Sequence, residues 1–165
     1  MKAAMIFVLA SCTSSGPSLD PAKLDKLDFG VPSGWTSRDL SLQHLVVEWR
    51  PVGDNERKES LVISRVDNPA YAAEKSRPHL KRELVAANHE LPGAAFGVPR
   101  AFVTRSGLFG LRVDGSFTPP AQTAIYHRTH AILVEGTALV HVLYTARDPD
   151  RDSLEAVLDG FRPGA

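Results

Sequence analysis

The stretch Ala138-Leu139-Val140-His141-Val142-Leu143-Tyr144-Thr145-Ala146 constrains this chain more than any other. Its nearly unbroken apolar and β-branched character, free of glycine and proline, reads as a strand. The lack of a clean polar alternate places it centrally in a sheet, buried on both faces. Glu135-Gly136-Thr137 before it is a tight hairpin turn, which makes Ala124 to Glu135 its antiparallel neighbour. Beyond it, Asp148-Pro149-Asp150-Arg151-Asp152 supplies acidic and proline helix-start signals. Leu154, Val157, Leu158 and Phe161 then recur at i, i+3, i+4 and i+7, the pattern of an amphipathic terminal helix.

The remaining elements follow from the same two periodicities. His44 to Arg50 and Ser60 to Val66 are apolar, β-branched runs joined by the polar loop Gly53 to Glu59, an antiparallel pair. Asp28-Phe29-Gly30-Val31-Pro32-Ser33-Gly34-Trp35 is a short extended segment closed by a Pro/Gly turn that delivers Trp35 onto a sheet. Asp67-Asn68-Pro69 ends the second strand. Helix formers dominate from Ala70 to Asn88, but Pro78 is disruptive in a helix interior, so the main helix begins there with Ser76 or Arg77 as cap. Leu80, Leu84, Ala87 and Leu91 form its inner face, with Lys81 and Arg82 pointing away. Past Leu91-Pro92-Gly93, Arg100 to Ser106 and Leu108 to Phe117 are two more strands. The order is strands, helix, a run of antiparallel strands, helix: an α+β domain with a mostly antiparallel sheet and helices packed on it.

Composition narrows the function classes. Apolar residues are 43% and charged residues 23% of 165, an ordinary globular balance. About 140 residues beyond the N-terminal segment are enough to bury roughly two thirds of the unfolded surface. Lys+Arg and Asp+Glu both number 19, leaving no excess positive charge to neutralise a phosphate backbone, so nucleic acid is not an expected partner. Cys12 is the only cysteine, which excludes an intramolecular disulfide and thiolate-pair metal sites.

The first residues read as a removable signal: Lys2, an apolar stretch from Ala3 to Ala10, then small residues before Cys12. The apolar stretch is too short to span a bilayer as a helix. Leu9-Ala10-Ser11-Cys12 resembles the lipobox of bacterial lipoproteins. That resemblance implies acylation of the Cys12 thiol and cleavage before it, and Thr13 in the following position implies outer-membrane sorting in the commonest Gram-negative scheme. Thr13-Ser14-Ser15-Gly16-Pro17-Ser18 is turn-forming and without apolar period. The expected organisation is a signal peptide over 1–11, a flexible tether over 12–26 and one α+β domain over 27–165. Acyl chains on Cys12, at about 0.8 kcal/mol per buried methylene, would anchor the domain permanently to a cell-envelope membrane.

The element order, with Phe29-Gly30-Val31-Pro32-Ser33-Gly34-Trp35 near the start, Gly115-Ser116-Phe117 in a middle strand and Val142-Leu143-Tyr144-Thr145-Ala146 before the terminal helix, resembles the PsbP-like α/β/α sandwich superfamily. The resemblance covers nearly all of residues 27 to 162. It implies a non-enzymatic domain that binds another protein, as among extrinsic proteins of the oxygen-evolving complex, nuclear transport cofactors and several bacterial lipoproteins. No ligand residues carry over from it.

Candidate chemistry is sparse. His127 and His130 form His-x-x-His, yet positions three apart on a strand face opposite ways and cannot share an ion without a bulge. His141 could join one of them from the neighbouring strand, with Glu135 or Asp114 adding oxygen. The plainer expectation is histidines satisfied in the core or at the surface, with no metal and no cofactor. There is no Gly-x-Ser-x-Gly elbow, and the glycines are dispersed rather than gathered before a helix. Lys75, Arg77, Lys81 and Arg82 form a basic set on the outer helix face that could steer an acidic partner or lipid headgroups, or simply be solvated. Trp35, Trp49, Tyr71, Phe96, Phe102, Phe109 and Tyr126 are core or groove aromatics.

Two functions stand against each other. The first is a lipid-tethered, non-enzymatic module that docks an envelope protein. It requires an exposed apolar patch rimmed by polar groups. The second is an envelope enzyme or small-ligand or metal binder using His127, His130 and His141. It requires those imidazoles to converge in a cavity with a carboxylate.

Overall fold

The computed structural model describes residues 16–41, 45–54, 58–67 and 77–164. The signal segment 1–11, Cys12, Tyr71, Lys75 and the cap candidate Ser76 lie outside the described residues. Eleven strands and two helices are found among those described. They follow the order β1 (Leu19–Leu24), β2 (Leu27–Pro32), β3 (Trp35–Asp39), β4 (Val46–Pro51), β5 (Glu59–Asp67), α1 (Arg77–His89), β6 (Ala95–Phe96), β7 (Arg100–Val103), β8 (Phe109–Phe117), β9 (Tyr126–Glu135), β10 (Ala138–Ala146), α2 (Arg151–Gly160) and β11 (Arg162–Pro163). All strand pairs are antiparallel.

The large sheet runs β3-β4-β5-β10-β9-β8-β6, with β7 also on β8. Strand β10 is its middle, paired along its whole length with β5 on one side and β9 on the other. Gly136 takes the left-handed φ of 58° that the β9–β10 turn demands. The side chains of β10 divide by parity: Ala138, Val140, Val142, Tyr144 and Ala146 are buried under α2, while Leu139 is buried toward α1. His141, Leu143 and Thr145, also on the α1 face, are half-buried, so that face is covered less completely than the unbroken apolar run suggested.

Two cores result. On one face Leu154, Val157, Leu158 and Phe161 of the α2 region meet Leu61, Ile63, Trp49, Val140 and Val142. On the other, Leu80 and Leu84 of α1 sit on Leu111, Val113, Ile132 and Leu139. Helix α2 starts as its sequence directs: Asp150 accepts from the Ser153 amide (3.1 Å) and the Ser153 hydroxyl (2.6 Å). Helix α1 carries Pro78 in its first turn, as expected. Its buried row is Leu80, Leu84 and Asn88, and not Leu80, Leu84 and Ala87. The steps of four keep one line over the sheet, whereas Ala87 is carried round to solvent.

Residues 19–24, expected to belong to a flexible stretch over 12–26, are a strand. They pair with β2 through a two-residue turn in which Asp25 has φ 51°. Strand β1 is an edge, which tolerates Pro21 and leaves most of its side chains wet. Strand β2 alternates Leu27, Phe29 and Val31 inward, and β11 closes its other side. This small sheet lies over the α2 core, where Phe29 stacks on Phe161 (5.0 Å between centroids) and meets Trp49 edge-on (5.3 Å). Strand β7 stops at Val103, short of the expected Ser106, because Thr104 accepts from the Leu108 amide and Gly107 turns the chain at φ 89°.

Phe161 has 0% exposure and ties the small sheet to the large one. Phe161→Ala should lower stability by about 3–5 kcal/mol in urea denaturation. A loss below about 1 kcal/mol would show that the two sheets do not share this core.

Candidate functional site

The histidines separate as their spacing demands. His127 lies opposite Ser116 on the α2 face and is exposed, while His130 is buried beneath α1 at 4% exposure. His141 joins His130 and not His127: His130 Nε2 is 3.3 Å from His141 Nδ1. The carboxylate that completes the row is Glu83 of α1, at 3.7 Å from His141 Nε2. Neither Glu135 nor Asp114 takes that place. Glu135 accepts from Arg65 (3.1 and 3.2 Å), and Asp114 is held by Arg100 and Thr129.

Hydrogen-bond logic assigns the tautomers. Asn88 Nδ2 donates to the Leu84 carbonyl (2.7 Å), which fixes the amide, and the same nitrogen is 3.0 Å from His130 Nδ1. His130 Nδ1 is therefore the acceptor, so Nε2 carries the proton and donates to His141 Nδ1. Two neutral imidazoles fit the hydrogen-bonded row Asn88 to His130 to His141, and Glu83 lies beyond it at 3.7 Å from His141 Nε2, past hydrogen-bond reach. Burial pushes the His130 imidazole down to about 3, with the charges of His141 and Arg128 adding to it. Burial also lowers His141, opposed by Glu83. Asn88 Oδ1 is buried without a partner among the described residues. None of the clefts that follow is lined by His130 or His141. Among the described residues no group of three or more His, Cys, Asp or Glu is placed to hold a metal ion.

His127 opens instead on a polar cleft of about 410 Å³ between the β8–β9 end of the sheet and α2. Arg112, Asp114 and Ser116 alternate along β8 toward it, Thr129 and His127 face it from β9, Arg100 from β7, and Arg151 and Glu155 from α2. Arg112 bridges to Glu155 (2.5 Å) and Arg100 to Asp114 (2.6 Å), and Thr129 donates to Asp114 (2.6 Å). Burial would raise the Asp114 carboxyl, but the bonds from Thr129 and Arg100 outweigh it and hold it below its ordinary value. The signal for this cleft was present in β8, where polar residues recur at period two within an otherwise apolar strand.

A second surface lies on the opposite side of the sheet, on the outer face of α1. There Val85, Ala86 and Pro99 line a shallow concavity of about 570 Å³, rimmed by Lys81, Arg82, His89 and Glu90. Val85 is 44% exposed, and Val98 beside Pro99 is 83% exposed. Of the expected basic set, Lys81 and Arg82 are therefore at this rim. The sequence aromatics are core: Trp49 and Tyr126 are buried, and Trp35, Phe96 and Phe102 pack partly buried against the two clusters. Among the described residues no helix is long and apolar enough to cross a membrane.

No protein-family model matches the chain, and no curated protein matches its sequence. Solved structures do match its fold. The solution structure of cyanobacterial PsbP (CyanoP) from Synechocystis aligns with a TM-score of 0.61 at 13% identity, over 96% of this chain and 98% of that one. LpqN of Mycobacterium tuberculosis, involved in cell envelope biogenesis, aligns at 0.61 and 12% identity, over 93% and 88%. The Saccharomyces cerevisiae Ran-binding protein Mog1p aligns at 0.55 and 9% identity, over 89% and 96%. The domain thus has the PsbP-like α+β fold, and at these identities the likeness shows the fold alone.

The buried imidazoles make stability depend on pH. Unfolded His130 takes up a proton near the ordinary 6.5 and the folded one only at about 3. Between these values the unfolded state binds more protons, so stability present above 6.5 is lost as pH falls toward 3. Lowering the pH from 7 to 5 should cost about 2 kcal/mol, at about 1.4 kcal/mol per unit below 6.5. The melting temperature across this range reads the loss. A His130→Gln variant should be less stable at pH 7 but show a shallower decline, and an equal decline would remove His130 as its cause.

Proposed function

We propose that the protein is a membrane-anchored module of the cell envelope that acts without catalysis by docking a protein partner on the outer face of α1. The observation that carries this reading is the Val85, Ala86 and Pro99 concavity, exposed apolar surface on a helix whose inner row is already used in the core. An apolar centre rimmed by charged side chains is the anatomy of a protein-docking surface. Lys81 and Arg82 outnumber Glu90 at its rim, so the matching partner presents an apolar side chain flanked by acidic groups. The burial of His130 and its pairing with His141, apart from exposed His127, disfavour the competing reading of an acid–base or metal site built on the three imidazoles.

The anchor in this reading is acylated Cys12, joined to β1 by residues 13–18. Two proteins of the same fold carry descriptions in line with it: LpqN is involved in cell envelope biogenesis, and Mog1p is a Ran-binding protein. A lipid on the thiol and an apolar docking face divide the work, since one sets location and the other selects the partner.

Two measurements test the reading in the native host. Cys12→Ala should abolish labelling by radioactive palmitate and move the protein from the membrane to the soluble fraction. Retention in the membrane would refute the anchor. A photo-crosslinking residue at position 85 should give a discrete protein adduct that disappears when Lys81 and Arg82 are both changed to Glu. The same residue at Val52, exposed in the β4–β5 turn, should give none. Equal adducts at both positions, or one indifferent to the charge reversal, would refute the docking face.

A further inference from the structure

The polar cleft on the α2 face is independent of the docking surface, being on the other side of the sheet. We propose that it binds a phosphate monoester carried on a small hydroxyl-bearing body, such as a sugar phosphate or the equivalent lipid headgroup. The argument begins with charge. Four arginines line the cleft, but Arg128 turns its guanidinium to the other face of the sheet, over the Phe117 ring and onto Thr145; Arg100, Arg112 and Arg151 remain to face two carboxylates, Asp114 and Glu155. Both carboxylates are engaged, Asp114 by Arg100 and Thr129 and Glu155 by Arg112. Arg151 has no ion-pair partner among the described residues, and neither has exposed His127. The cleft therefore holds one positive charge in excess.

The second step is geometry. Arg112 uses Nε toward Asp114 (3.5 Å) and Nη1 toward Glu155 (2.5 Å), which fixes the plane of its guanidinium and leaves Nη2 as a donor. Its side chain is only 19% exposed, so little rotamer freedom remains to be lost on binding. Arg100 is tethered more loosely, by one Nη2 bond to Asp114 (2.6 Å) with its side chain largely exposed, leaving its other donors open. A planar fork held in place from two sides suits the tetrahedral oxygens of phosphate better than a mobile ammonium would. The Ser116 hydroxyl and the imidazole of His127, paired across β8 and β9, add further donors on the floor.

The third step is size and polarity. A volume of about 410 Å³ exceeds what inorganic phosphate fills. Beyond the anion, the lining offers the free lone pairs of Glu155 and the Ser116 and Thr129 oxygens, which accept from hydroxyls. An apolar ligand finds Ala95, Pro149, Leu154 and the ring of Tyr144, a minority of the lining. The ligand is therefore polar throughout, with the phosphate toward Arg112 and Arg151 and hydroxyls toward Glu155.

Calorimetric titration of the full chain decides the matter, with inorganic phosphate, glucose 6-phosphate and glucose as soluble probes. Vesicles of equal parts phosphatidic acid and phosphatidylcholine, against pure phosphatidylcholine, form the lipid arm. Glucose 6-phosphate should bind at least tenfold tighter than inorganic phosphate, with no detectable binding of glucose. Binding only to the phosphatidic acid vesicles would instead assign the headgroup as the source. In either case Arg151→Gln, at an exposed residue without a structural partner, should weaken binding at least tenfold, and Lys26→Gln, exposed in the β1–β2 turn and outside the cleft lining, should leave it unchanged. Absence of binding to every phosphate-bearing probe, or affinity indifferent to Arg151→Gln, would overturn the proposal.

Discussion

Strand β10 is gripped on four sides. Hydrogen-bonded ladders to β5 and β9 leave no edge, α2 and the small sheet cover one face, and α1 covers the other. Each ladder is net stabilising by only about 0.5–1.5 kcal/mol per bond, but any bond left open in that interior would be costly, so the register is strongly fixed. Everything functional is hung from this strand. It places His141 against His130, sets Tyr144 beneath the start of α2, and holds β9 in the position that aims His127 and Thr129 into the polar cleft.

The two faces are built by different means. Under α2 the contact is apolar and broad, with stacked Phe29 and Phe161 at its centre. Tyr144 adds a polar pin there: its hydroxyl donates to Glu59 and accepts from the Asp150 amide (3.0 Å), fixing where the helix begins. Under α1 the apolar contact is narrower, Leu80 and Leu84 on Leu111, Val113, Ile132 and Leu139, and beside it runs the row from buried Asn88 through two imidazoles toward Glu83. Such a chain is worth little net free energy when satisfied and costs a great deal when broken, so it fixes the azimuth of α1 more than its affinity for the sheet. That azimuth turns Val85 and Ala86 outward. The polar seam inside α1 and the apolar concavity outside it are thus two consequences of one helix orientation.

Legibility in the sequence followed how local the determining physics is. Strand β10, its hairpin with β9 and helix α2 are each specified by an uninterrupted pattern, and they stand where the pattern put them. Strand β1 was hidden because an edge strand with Pro21 has no alternation to show; only its pairing with β2 makes it a strand. Ala87 looked like a core position because small apolar residues suit either side of a helix, whereas the burial of Asn88 depends on His130 lying across from it. The opposed faces of His127 and His130 were readable from strand parity, but the partnership of His130 with His141 required the register of β9 on β10. The polar cleft gathers residues from β7, β8, β9 and α2, a set that no local window contains.

Native-state hydrogen exchange tests most directly whether β10 is the element on which the fold depends. The amides of Val140, Val142 and Tyr144 should exchange only through global unfolding, with the same denaturant dependence as the whole domain. Those of the edge strand β3 and of α1 should open at lower free energy. Exchange of the β10 amides at free energies as low as those of β3 would contradict the account.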